Sequence, residues 1–253
     1  MLTGTADVDA LAARLSAATI PEWASDDVVL DDVISLQLIV ELRRAGRADL
    51  LPPGLHPTDP PSLHIQVWRV GGSPWGAFTW AHTRLSCRSG VRARALTTGS
   101  VVTAPAAARG LAERFGFAST VGTIRFDVRY DRSDAVVEVE GRSVLEVQAL
   151  DPVPLASDAV QITSTMNLAT TPQDLRLVQV EARHRTTGLD RLHARVRRFD
   201  STAWGDERLD PYSVVSAVQM RDQQVTMPAV RFVCRPDVIA FEGTERVTAP
   251  SHT

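Results

Sequence analysis

The sequence predicts an α+β fold that is mainly β, an antiparallel β-barrel or cone with a few short helices. From Val28 onward, apolar and polar residues alternate with period two, and β-branched residues are frequent. Two polar segments, Tyr130–Asp134 and Glu140–Arg142, have the composition of hairpin turns. Because many antiparallel strands in one chain must bury their apolar faces together, the pattern favours a closed barrel or a sandwich.

The chain of 253 residues is interpreted as a single domain spanning residues 1–253. Its first part, residues 1–20, is expected to contain a short amphipathic helix over Asp7–Ala18, where apolar residues recur at helical spacing. The proline-containing segment Leu51–Leu55 is interpreted as a rigid connector within this domain, because strand patterns lie on both sides of it. The polar tail, residues 244–253, is expected to be frayed.

Most of the remaining chain is predicted to form strands separated by turn residues. The predicted strands are Val28–Glu41, Ser62–Val70, Gly76–Leu85, Val91–Val102, Thr120–Tyr130, Ala135–Val139, Ser143–Ala149, Ala159–Asn167, Leu175–His184, Leu192–Phe199 and Val214–Val233. The last of these is expected to be broken near Asp222.

One helix is predicted in the middle of the strands. Thr103 is a suitable N-cap, Pro105 fits the first turn, and Ala106–Phe115 propagate the helix. Gly116 supplies a C-terminal stop. Because loops and helix ends expose polar groups, this interruption of the β pattern is a candidate location for site residues.

The chain contains no lysine, since all 27 of its Lys+Arg residues are arginine. No side chain can therefore form a Schiff base with a carbonyl substrate, because that reaction needs a primary amine. The lysine of a nucleotide-binding P-loop and a lysine that anchors pyridoxal phosphate are excluded as well. The sequence has no glycine-rich dinucleotide motif after a strand and no cysteine cluster, so we expect no cofactor.

The net charge of −3 and the scattered acidic residues argue against a nucleic-acid partner. No apolar run approaches the roughly 18 residues of a membrane span, and Met1–Pro21 lacks the features of a signal peptide. Cys87 and Cys234 are interpreted as buried thiols in a reducing compartment. We therefore expect a cytoplasmic protein with no membrane partner.

Three segments carry a family resemblance through their order along the chain. They are Leu51–Leu55 (LPPGL), the strand Leu63–Trp68 with the hairpin Pro74–Trp80, and residues 106–120 (AAARGLAERFGFAST). Together they resemble the acetoacetate decarboxylase superfamily over residues 28–235. The resemblance implies an acetoacetate decarboxylase-like antiparallel β-barrel or cone. Because relatives with this fold commonly assemble, it also implies a homo-oligomer.

The departures from the family pattern fall on its reactive groups. The resemblance places Ser119 where the family has the lysine nucleophile and Thr120 where it has a second lysine. Trp80 falls where the family has an acidic residue, and the family's arginine falls at Asp31–Val33, where there is none. The resemblance therefore implies an inherited barrel without the imine chemistry, and decarboxylation through a Schiff base is excluded.

These replacements predict an apolar pocket with a few hydroxyl donors. Trp80, Phe117 and Thr120 are expected to line this pocket and bind substrate, together with Gln66 and Trp68 on the neighbouring strand. Such a pocket suits a small hydrophobic metabolite that contains a carbonyl group. Packing in the core or at the rim is the alternative interpretation of the tryptophans.

Ser119, Glu113, His64 and Asp32 are the candidate catalytic residues. Ser119 is expected to donate a hydrogen bond to a substrate carbonyl and so stabilise an enolate. His64, Glu113 or Asp32 would transfer protons, and Asp32 is included because one of two consecutive strand residues points inward. A structural role is the alternative for each of them. A metal site using His64, His82 and Glu113 is not expected, since HxH and HExxH spacings are absent.

The sequence favours a lysine-independent enzyme of the lyase or cyclase type that catalyses cyclisation, dehydration or C–C bond rearrangement. Richness in Ala, Arg and Val suggests a GC-rich genome, so the expected setting is secondary metabolism, such as polyketide tailoring. The alternative is a non-catalytic ligand-binding or scaffold protein on the same fold. Convergence of the acid/base residues on a cavity with Ser119 would favour the enzyme.

Overall fold

The computed structural model describes residues 2–43 and 48–247, and most of these residues form β-strands. The helices are α1 (Val8–Arg14), α2 (Pro105–Phe115) and α3 (Ala240–Gly243), with a 3₁₀ turn at Ala48–Leu50. The strands are β1 (Ala18–Thr19), β2 (Val28–Leu42), β3 (His56–Pro57), β4 (Ser62–Gly72), β5 (Phe78–Ser89), β6 (Arg92–Val102), β7 (Thr120–Val121), β8 (Thr123–Val128), β9 (Arg132–Val139), β10 (Arg142–Pro154), β11 (Ser164–Thr171), β12 (Asp174–Val180), β13 (Arg183–Phe199), β14 (Pro211–Met227), β15 (Phe232–Cys234) and β16 (Thr244–Arg246).

All of these strands belong to one sheet, whose order is β16-β15-β12-β11-β6-β5-β4-β2-β14-β13-β10-β9-β8. Three short strands lie beside this path: β1 pairs with β11, β3 with β5 and β7 with β6. Most pairs are antiparallel, and the parallel ones are β1–β11, β11–β6 and β6–β7. The predicted mainly β fold with a few short helices is confirmed. Within the described residues, the sheet is open, since its end strands β16 and β8 do not pair with each other.

The central strands are buried on both faces, which places a core on each side of the sheet. On β4, Leu63, Ile65 and Val67 pack into one hydrophobic cluster. Trp68 and Val70 belong to a second cluster on the opposite side. Because neighbouring side chains on a strand point to opposite faces, a strand buried on both sides can supply a site without losing its core contacts.

Both predicted hairpin turns are present. Val139 pairs with Arg142 across a two-residue loop. The loop residues Glu140 and Gly141 have φ angles of 51° and 74°, the combination that a type I′ turn requires. The other turn connects β8 to β9 at residues 129–131.

Strand β14 is continuous, so the predicted break near Asp222 is wrong. Asp222 is buried, and a buried carboxylate is tolerated here because it accepts hydrogen bonds from two side chains of β13, described below. The strand ends at Met227, before Pro228. The predicted strand Leu175–His184 is in fact two strands, because β12 ends at Val180 and β13 begins at Arg183.

Both predicted helices are present, but their ends differ from the predicted ones. Helix α1 has only 7 residues, begins after the N-cap Asp7 and is followed by Ser16 with a φ angle of 50°. Helix α2 has Ala104 at its N-cap, not the predicted Thr103, whose hydroxyl accepts a hydrogen bond from the Thr79 amide at 2.9 Å. Gly116 ends α2 with a φ angle of 75°, as predicted.

The predicted frayed tail begins with a strand, since β16 pairs with β15. Residues 248–253 of that tail lie outside the described residues. No helix in the described ranges is long and apolar enough to cross a membrane.

Candidate functional site

A small cavity lies on the side of the sheet that carries the second core. Its volume is about 40 Å³. One wall, here called the first wall, is formed by β4, β5 and the second residue after α2. The other wall, here called the second wall, is formed by the end of the segment joining β10 to β11, the start of β11, the end of β12 with the start of β13, and the end of β14. The first wall contributes Gln66, Trp68, Trp80, His82, Arg84 and Phe117, and the second contributes Ile162, Thr163, Ser164, Thr165, Val180, Ala182, His184 and Met227.

The pairing of β4 with β5 builds the first wall. Gln66 lies opposite His82, and Trp68 lies opposite Trp80. Since residues two apart on a strand share a face, Trp80, His82 and Arg84 all point to this side of the sheet. The Trp80 ring centroid is 5.4 Å from that of Trp68, edge to face, and 4.2 Å from that of His82. The wall is therefore aromatic at one end and cationic at the other.

Arg84 is a fully buried cation without a carboxylate partner among the described residues. Its Nη1 donates to the Thr163 carbonyl at 2.9 Å and to the Thr165 hydroxyl at 2.7 Å. Its Nε and Nη2 atoms have no hydrogen-bond partner. Burial lowers the pKa of Arg84 to about 10, so the guanidinium remains charged at neutral pH.

A buried histidine–aspartate pair contributes to the second wall. The Nδ1 atom of His184 is 2.9 Å from a carboxylate oxygen of Asp222, and the other oxygen accepts from the Thr186 hydroxyl at 2.6 Å. Since a carboxylate oxygen accepts, the His184 Nδ1–H donates to Asp222, and Nε2 is the ring nitrogen left without a protein partner. Nε2 is buried and has no partner. This is the arrangement of a histidine oriented to act as a base.

Unpaired buried polar atoms are concentrated around the cavity. Trp68 Nε1, His82 Nδ1, Arg84 Nε and Nη2, and His184 Nε2 are all buried without a hydrogen-bond partner, and all four residues line the cavity. Each unpaired buried group lowers the stability of the fold by roughly 1–3 kcal/mol, so several such groups around one cavity indicate a functional role. A ligand with polar atoms that reaches these groups would recover part of that cost.

Two histidines beside Arg84 are held neutral. Burial, together with the nearby positive charge of Arg84, lowers the pKa of His64 to about 3. The same two causes, with a further contribution from His64, lower the pKa of His82 well below its ordinary value. At neutral pH, Arg84 is therefore the cation of the first wall.

Four of the predicted substrate-binding residues line the cavity: Gln66, Trp68, Trp80 and Phe117. The fifth, Thr120, is exposed on β7 and does not line it. Trp75, in the β4–β5 hairpin, packs on α2 instead, where a Cβ on Gly110 would come within 2.1 Å of its ring.

The four predicted catalytic residues do not line the cavity. The Ser119 hydroxyl is 2.7 Å from that of Ser100, which in turn accepts from Trp80 Nε1 at 2.8 Å, so Ser119 supports the back of the Trp80 ring. Glu113 is exposed on α2. His64 is buried next to the site, and its Nε2 is 3.0 Å from the Ser86 hydroxyl.

Asp32 is exposed, and so is its neighbour Asp31. The expectation that one of the two points inward is wrong, because Asp32 has a φ angle of 51° and the regular alternation of the strand is interrupted there. Asp31 accepts a hydrogen bond from Gln224 Nε2 at 3.3 Å. The predicted histidine and acidic residues therefore do not converge with Ser119.

Sequence reasoning missed Arg84, His184 and Asp222. Arg84 follows Trp80 and His82 at the same period of two, so extending that pattern by one step would have found it. Asp222 is the one acidic residue of β14, and it is the residue at which a break was expected. No local pattern links it to His184, which is 38 residues away.

Comparison with solved structures identifies the architecture. The structure of acetoacetate decarboxylase from Legionella pneumophila superposes with a TM-score of 0.70 at 13% sequence identity, covering 82% of this chain and 87% of that one. The chain has the acetoacetate decarboxylase fold. The resemblance predicted from the sequence is thereby confirmed at the level of the fold.

Two further solved structures match over 82% of this chain. The enduracididine biosynthesis enzyme MppR, solved in complex with pyruvate, has a TM-score of 0.66 at 17% identity over 91% of its length. An acetoacetate decarboxylase-like enzyme from Sphingomonas wittichii RW1 has a TM-score of 0.62 at 13% identity over 92% of its length. No protein-family model and no curated protein matches the sequence.

Proposed function

We propose that the protein is an enzyme that transfers a proton on a small carbonyl compound, without an imine, in the cavity between the two walls. The observation that carries this proposal is the His184–Asp222 pair, whose unpaired Nε2 belongs to a residue that lines the cavity. A general base needs a free lone pair, a fixed ring orientation and a neutral ring near the working pH. Asp222 supplies the orientation.

In the proposed step, His184 Nε2 takes a proton from the carbon next to the substrate carbonyl. The C–H electron pair becomes the C=C bond of an enolate, and the carbonyl π electrons move to oxygen. Trp68, in the first wall, has an unpaired Nε1–H, and its ring centroid is 5.8 Å from that of His184. This N–H is suited to donate to that oxygen. Hydrogen bonding to the enolate would replace the electron sink that a lysine imine provides.

Cyclisation, dehydration and C–C bond rearrangement of carbonyl compounds can all begin with such an enolisation, and these remain the reaction types proposed. The complex of MppR with pyruvate supports a small oxo compound as the ligand, and its place in enduracididine biosynthesis supports a setting in natural-product tailoring. A large hydrophobic metabolite does not fit the cavity as it stands, since about 40 Å³ is well below the roughly 150 Å³ that holds benzene.

The proposal is tested by hydrogen exchange at pyruvate in D₂O. We expect the protein to accelerate replacement of the methyl protons by deuterium, followed by proton NMR. Borohydride added during the reaction is expected to trap no adduct on any side chain of this lysine-free protein. Binding of pyruvate without accelerated exchange would instead favour a non-catalytic ligand-binding protein.

We further propose a cytoplasmic homo-oligomer. The resemblance supports the assembly, and two free, buried cysteines are compatible with a reducing compartment. Light scattering of the purified protein gives the mass, and a monomer at micromolar concentration would overturn the oligomer.

A further inference from the structure

We infer that Arg84 is the receptor for a carboxylate, and that the ligand of the cavity is a small monocarboxylate. This inference names the substrate class of the proposed function and rests on it for the reaction, while the binding itself can be measured separately.

The two buried arginines of the sheet differ in how their charge is balanced. Arg94 lies 3.1 Å from the carboxylate of Glu181. Arg84 is more deeply buried and has no carboxylate within ion-pair distance in the described part of the chain. A buried charge without a counterion costs free energy, so a buried charge in a protein is normally paired with an opposite charge or has a role in binding or catalysis. Arg84 is therefore a cation whose partner comes from outside the chain.

The unpaired donors of Arg84 have the arrangement that binds a carboxylate. Nη1 is already used by Thr163 and Thr165. The remaining atoms, Nε and Nη2, lie on one side of the planar guanidinium, where two parallel N–H groups match the two oxygens of a carboxylate. A neutral amide of the same shape would offer one acceptor oxygen and an opposing NH₂ group.

Nothing in the lining competes for this charge. The lining residues of both walls include no aspartate and no glutamate. The nearby buried carboxylate, Asp222, already accepts from His184 and Thr186. The two histidines next to Arg84 are neutral, so they neither repel an anion by charge nor attract one.

The segment that covers the cavity limits the size of the ligand. Residues 155–163, here called the strap, connect β10 to β11. Leu155, Val160 and Ile162 of the strap pack against a small cluster on β13 and β14. The Thr163 carbonyl, at the end of the strap, accepts from Arg84. With the strap in place, the cavity volume of about 40 Å³ favours short acids such as acetate and pyruvate over an aromatic acid.

Calorimetric titration of the full chain in chloride-free buffer at pH 7 tests the inference, with acetate and its neutral isostere acetamide as probes. We expect acetate to bind at least tenfold more tightly than acetamide. In Arg84→Gln the preference for acetate should disappear, whereas Arg94→Gln, which removes the other buried arginine, should retain it. Equal binding of the two probes to the wild-type protein would overturn the inference even if the Arg84 variant does not fold.

A second variant separates this inference from the proposed function. His184→Asn keeps a donor to Asp222 and should retain the preference for acetate over acetamide, because Arg84 is unchanged. If acetate binds through Arg84 but pyruvate does not exchange, the anion site stands and the proposed reaction fails. If the neutral ketone hydroxyacetone exchanges through His184 but acetate binds no better than acetamide, the reaction stands and the carboxylate site fails.

Discussion

The two walls of the cavity are built in different ways. The first wall consists of two adjacent antiparallel strands in regular register, with an aromatic pair and Arg84 on one face. The second wall collects residues from four places in the chain, and β13 shifts its register on β14 between Arg185 and Gly188, next to His184. The regular wall is suited to shape the ligand site, and the irregular wall supplies the base. A register shift is a common way to re-aim a side chain at a functional site.

The largest expected effect comes from removing the base of the second wall. His184→Asn should reduce deuterium exchange at pyruvate by roughly 10²–10⁴-fold, the usual contribution of general base catalysis. The family resemblance places Ser119 at the position of the lost lysine nucleophile. Ser119→Ala should nevertheless change the rate less than threefold, because the Ser119 hydroxyl hydrogen-bonds to Ser100 behind Trp80 and does not line the cavity. Exchange rates of the two variants are measured by NMR. A larger loss of rate in Ser119→Ala than in His184→Asn would show that Ser119, and not His184, is the catalytic residue.

A smaller loss is expected when the base remains but its orientation is lost. Asp222→Asn should slow exchange because an amide in place of the carboxylate favours the wrong tautomer of His184. The expected loss is at least tenfold, with an upper limit of roughly 10⁴-fold, the loss found when the aspartate of a catalytic Asp–His pair is replaced by asparagine. Binding of acetate should change little. The rate measured against pH distinguishes positioning from folding, since a purely structural role would lower activity without shifting the profile.

A substitution in the strap should change which size of oxo acid the cavity accepts. Ile162→Ala removes three carbon atoms from the second wall without touching Arg84 or His184. We expect exchange of 2-oxobutanoate to rise several-fold relative to pyruvate in this variant. Rates measured with both acids check the ratio, and Val160→Ala, in the same strap but outside the cavity lining, is the matched control. An unchanged ratio in Ile162→Ala would show that the strap does not limit ligand size.

The smallest effect concerns stability, and it arises at His64, which is buried beside the first wall. The pKa of His64 is lowered to about 3, so between pH 6.5 and 3 the unfolded chain binds a proton there that the folded chain does not. The free energy of unfolding should therefore fall as the pH falls through this range, by about 1.4 kcal/mol per unit for this residue. Urea unfolding at pH 7 and pH 5 should show a weaker pH dependence in His64→Gln than in the wild-type protein.

The sequence predicts the first wall better than the second for a physical reason. Period-two alternation and aromatic residues are local signals, so Gln66, Trp68 and Trp80 could be placed on one face before the structure was known. The pairing of His184 with Asp222 depends on register over 38 residues and on a bulge, and neither leaves a local trace. The same cause explains Asp32, where one positive φ angle reversed the expected direction of a side chain.

The edge-to-face contact of Trp68 with Trp80, at 5.4 Å, has a spectroscopic consequence. Two indoles this close couple their electronic transitions, so the protein should show an exciton couplet in circular dichroism. Trp204 is fully buried in the core on the opposite side of the sheet, where its ring stacks on Phe199. Both rings line the cavity, so we expect a bound ligand to change this signal, which Trp68→Phe should abolish and Trp204→Phe should leave intact.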